Sequence, residues 1–139
     1  MQRVFWRSPS EMDSPTLTLM IAQGKSAYEA EDFEEAAKCY ERAAGEFSSQ
    51  SDFLNAAEMQ NNRSVSLLRA GNPKTAFQAS KGTEIVFAAA GDLRRQAMAL
   101  GNQAAALEGM KQEGEAILLY QESNQLLKNL NEPDLRIYV

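Results

Sequence analysis

The chain has 139 residues, room for one domain with a real core, and 19 acidic against 14 basic residues leave it at −5. That balance offers no basic field to displace counterions from phosphates, so nucleic acid is excluded as the main partner. Histidine is absent and Cys39 stands alone, which removes the commonest general base, an internal disulfide and any multi-cysteine zinc site.

In chain order, residues 1–13 read as an N-terminal tail, in which Phe5-Trp6 either covers the end of the first unit or hangs free. Its apolar run is shorter than a signal-peptide core, and no run reaches the roughly 18 apolar residues of a membrane span. A cytoplasmic location without membrane insertion is expected, in keeping with a lone thiol. A first helix is predicted over 14–30, where Leu17, Met20, Ile21, Gly24, Ala27 and Tyr28 follow helical spacing. Asp32 caps a second over 33–49, with Glu34 and Glu35 in the turn where the dipole favours negative charge. Further helices are expected over 52–70, 73–90, 92–109 and 113–129. Gly71-Asn72-Pro73, Gly91-Asp92, and Gly109 with Gln112 punctuate them.

Self-comparison shows a 40-residue period. Ala36, Ala76 and Ala116 form one column, and Gly24, Ser64 and Ala104 another of small residues. Ala27, Leu67 and Leu107 are apolar; Ala43, Thr83 and Ser123 are small; Phe47, Phe87 and Leu127 are bulky. Tyr40 and Tyr120 match, with Ser80 between them. The alanine column marks where the second helix of a pair crosses the first, and small residues there let the backbones approach. Three helix pairs follow, at about 14–50, 51–90 and 91–130, then a tail or the start of a further helix over 131–139. One pair cannot hide its own apolar face, so neighbours must stack. The expected fold is all-α, with about six antiparallel helices.

The segment from Gly24 through Tyr28, Asp32, Phe33, Ala36 and Tyr40 to Ala43 resembles a tetratricopeptide repeat. Residues 62–80 and 100–120 carry similar versions, in the family's longer, 40-residue form. A period of 40 also suits propeller blades, which the alanine-rich units argue against, and HEAT units, which the period alone leaves open. The resemblance implies a right-handed α-α superhelix whose first helices line a concave, peptide-binding groove. Its implied lining is Ile21, Ala22, Lys25 and Tyr28; then Glu58, Asn61, Asn62, Val65 and Arg69; then Met98, Gly101, Asn102, Ala105 and Glu108. Asn62 and Asn102 are equivalent, and an amide can pair with a peptide backbone of any sequence. The family's carboxylate clamp would fall on Ile21, Lys25, Asn62, Met98 and Asn102, and only Asn62 agrees. A mixed groove with Lys25 and Arg69 as isolated cations is expected instead.

Glu31-Asp32-Glu34-Glu35 reads as a solvated helix start, Cys39 as a packed thiol, and Arg94-Arg95 as a surface pair. No nucleophile–base pair, phosphate loop or metal set is present, so neither catalysis nor a cofactor is expected. The expected function is a non-catalytic module that binds a protein or peptide partner. Its rival is a scaffold that self-assembles into a homo-oligomer through the ends of the array.

Overall fold

A left-handed residue stands every twenty positions: Glu31, Ser51, Gly71, Gly91 and Lys111 have φ of 62°, 60°, 88°, 74° and 66°. The computed structural model describes residues 9–130, with side chains from Thr16 onward. Its helices are α1 (Pro9–Glu29), α2 (Phe33–Ser49), α3 (Phe53–Arg69), α4 (Pro73–Ser80), α5 (Thr83–Ala89), α6 (Leu93–Gly109) and α7 (Glu113–Asn129). No strand occurs among the described residues.

One connector is used five times. The left-handed residue donates its amide to the carbonyl three back, and the next residue donates to the carbonyl five back. At the α2–α3 connector these are Ser51 N to Ser48 O and Asp52 N to Phe47 O, both 2.9 Å. The pair satisfies the last carbonyls of the outgoing helix. Asp32, Asp52 and Asp92 then accept from the amides of Glu35, Asn55 and Arg95 at 3.3, 3.2 and 3.0 Å, capping the incoming helix. Asn72 and Gln112 hold the same place without a side-chain cap bond. Before Pro73 little is lost, because proline at the first helical position has no amide to satisfy.

Two boundaries depart from expectation. Helix α1 begins at Pro9, so residues 9–13 are helical and not part of a tail. Pro9 suits a first helical position, and Pro15 lies inside the helix at the cost of one backbone bond. The predicted helix over 73–90 is broken: Lys81 is extended, with ψ 126°, and Gly82 is left-handed, with φ 91°. Buried side chains take up the polar groups at the break. The Ser80 carbonyl accepts from Thr83 Oγ1 at 2.7 Å and from Gln103 Nε2 at 2.9 Å. Glu84 Oε1 accepts from Gly82 N at 3.0 Å and from Gln103 Nε2 at 2.7 Å.

Packing runs in chain order: α1 on α2, α2 on α3, α3 on α4 and α5, these two on α6, and α6 on α7. No comparable packing brings α1 or α2 against α6 or α7. The small columns lie at the crossings. Ala36, Ala76 and Ala116 are all buried. A Cβ on Gly24 would stand 3.1 Å from the Tyr40 ring. In the second pair Ser80 replaces that tyrosine, and Ser64 fits, donating to the Ala76 carbonyl at 2.8 Å. Phe87, Leu100, Leu107 and Leu127 fill the spaces beside the alanines. Among the described residues, no helix is long and apolar enough to cross a membrane. Phe5, Trp6 and the 131–139 tail lie outside the described residues.

Candidate functional site

The site is built where α1, α2 and α3 meet. Tyr28, in the last turn of α1, stands edge-on to Phe33 with ring centroids 5.1 Å apart. Arg69 reaches back from the last turn of α3, its guanidinium 4.8 Å from the Phe33 centroid and 5.7 Å from that of Tyr28. It also donates Nη1–H to the Tyr28 hydroxyl at 3.2 Å. The expectation of Arg69 as an isolated cation is therefore corrected: the ring faces hold it. One and two turns earlier on α3, Val65 and Asn62 join Tyr28 and Tyr40 around a hollow of about 140 Å³.

Of the expected groove residues, Tyr28, Asn62, Val65 and Arg69 come together here. Tyr40 was not on that list, although with Tyr120 it is one of the two aromatic members of a 40-spaced column. Lys25 is exposed on α1, and Ile21 is half-buried against the Leu17, Ala36 and Tyr40 cluster. Met98, Asn102 and Ala105 stand on α6, outside the hollow, with Met98 56% exposed.

Adjacent asparagines separate into two roles. Asn61 is 8% exposed and accepts from Thr83 Oγ1 at 3.0 Å, serving the α4–α5 break. Its expected groove role is corrected, since its side chain points into the packing between α3 and α5. Asn62 and Asn102 are half-buried, and among the described residues neither side-chain amide has a hydrogen-bond partner. Each keeps two donors and an acceptor for an incoming group. Arg95 is occupied, bridging Glu58 at 3.3 Å and Asp92 at 3.0 Å, and so ties α6 to α3.

Tyr40 forms one wall of the hollow, and its neighbour Cys39 is buried on the same helix, against Gly24 of α1. Burial pushes the Cys39 thiol above its ordinary pKa, and Glu35, which accepts its S–H at 3.6 Å, pushes the same way against Arg42. Burial likewise raises Tyr40, with Cys39 beside it. Both therefore stay neutral at physiological pH. Among the described residues no group of three histidine, cysteine or acidic side chains could hold a metal ion.

Larger hollows lie elsewhere, among them one of about 320 Å³ beside Glu34, Lys38 and Arg63. Another, of about 400 Å³, follows the α4–α5 break between Phe53, Gln60, Arg63, Lys81 and Val86. A further one, of about 520 Å³, opens on α7 beside Ile117 and Tyr120. Comparisons with protein-family models, with curated proteins and with solved structures give no match to this chain.

Proposed function

We propose that the chain is a non-catalytic interaction module that holds an extended peptide segment of a partner protein along α1, α3 and α6. In this reading the three pairs form the right-handed superhelix of tetratricopeptide proteins, and these helices line its concave side. The observation that carries it is the pair of unengaged amides, Asn62 and Asn102, forty residues apart and on successive units. An extended backbone presents a donor and an acceptor at intervals, which two spaced amides can meet whatever the peptide's sequence. The Tyr28–Tyr40–Val65 hollow beside Asn62 would take an apolar side chain of the bound segment, and exposed Met98 would take another. Lys25 adds one positive charge at the rim.

The test is a peptide mapped from whatever partner the domain retains, titrated against the domain and its variants. Asn62→Ala with Asn102→Ala removes two net hydrogen bonds of about 1 kcal/mol each, so affinity should fall roughly thirtyfold. The unfolding midpoint should not move, because neither amide supports the fold. Unchanged affinity in the double variant removes the assignment.

A further inference from the structure

We propose that copies of this chain stack head to tail, the α1 face of one docking on the α7 face of the next as α3 docks on α2 within the chain. Inside the chain the second pair leans on the first through Met59, which is buried with Ala36, Tyr40 and Ala44. The third leans on the second through Ala99, buried with Ala57 and Phe87. Forty residues before Met59 stands Leu19, at the same register position and 57% exposed. The receiving side repeats as well. Ala37 is buried beside Leu67, and Phe77 packs on the cluster that holds Ala106. Their counterpart on α7 is Ile117, 54% exposed, and the counterpart of buried Tyr40 is exposed Tyr120.

The two ends thus carry the two halves of one interface that the chain already forms twice. A second copy brings the complementary half with it, and that continuity identifies it as the occupant of the hollow beside Ile117 and Tyr120. The contact is heterologous, so each docking leaves a fresh end and growth is open unless the rotation closes a ring. Register also exposes a flaw in the joint. At the inner junction Arg69 lies over Tyr28 and Phe33. At the outer one Glu29 would arrive instead, against Glu108 and Glu113, and like charges oppose docking. Glu29→Arg turns that repulsion into attraction. The inference is independent of the peptide reading, so either can fail alone.

Sedimentation of the full chain across a wide concentration range tests it. The expected result is a mass that climbs with concentration. Leu19→Glu and Ile117→Glu, both at exposed positions that spare the fold, should each weaken association more than tenfold, because each puts a charge into an apolar joint. Mixed together, these variants retain one sound face each, so they should form a dimer that grows no further. Glu29→Arg should tighten association several-fold. The proposal is overturned by a chain that stays monomeric throughout. It is equally overturned by variants that associate like the parent, by a mixture that stays monomeric, or by Glu29→Arg having no effect.

Discussion

At the scale of single residues, the buried pair Cys39 and Tyr40 couples stability to pH. Both titrate higher in the fold than in the unfolded chain, chiefly because burial penalises their charged forms. The native state therefore binds more protons than the unfolded state in alkaline solution. Stability is present in full below the ordinary thiol value of 9.0 and is lost as pH rises through the raised values. Denaturant unfolding of Cys39→Ala should give a shallower alkaline decline than the parent, and an equal decline would show that the thiol does not contribute. Residue sizes were legible in the sequence: the Gly24, Ser64 and Ala104 column sits at the crossings where its spacing put it. Orientation was less so. Asn61 and Asn62 differ by one step of 100° around the helix, and only the position of Thr83 decides which is consumed. The engagement of Arg69 depends on where the preceding connector leaves Phe33, which local spacing does not encode.

At the scale of elements, the repeating object is half the apparent unit. Helices α2, α3, α6 and α7 each span 17 residues, and three-residue connectors complete a period of twenty. The bulky column at 47, 87 and 127 and the apolar one at 27, 67 and 107 are therefore one series. Through residue 107, each member accepts the connector's longer hydrogen bond. Sequence comparison at 40 missed this because the left-handed position is glycine in only two of five connectors. Glu31, Ser51 and Lys111 take it at a cost of about 1–2 kcal/mol each, which the hydrogen bonds around them offset. The break at Gly82 escaped notice for a related reason, since Ser80, Thr83 and Gln103 compete for backbone only when helices α3 to α6 are assembled around them. Gly82→Ala isolates the backbone part of that geometry, as an added Cβ meets nothing within 4 Å. It should lower stability by about 1–2 kcal/mol in denaturant unfolding, and a neutral result would mean that α4 and α5 can join into one helix.

At the scale of the molecule, three helix pairs pack in the order of the chain, and each is supported by its immediate neighbours. Such an arrangement stores its stability in local interfaces, so damage at one end should stay there. Alanine at the crossings makes this possible by bringing helices close without long side chains that would tie distant units together. The most direct test is native-state hydrogen exchange on Ala116→Glu, which places a charge at the buried α6–α7 crossing. The account predicts that α7 and the facing side of α6 lose protection while amides of α1, α2 and α3 keep theirs. Protection lost evenly from α1 to α7 would contradict it.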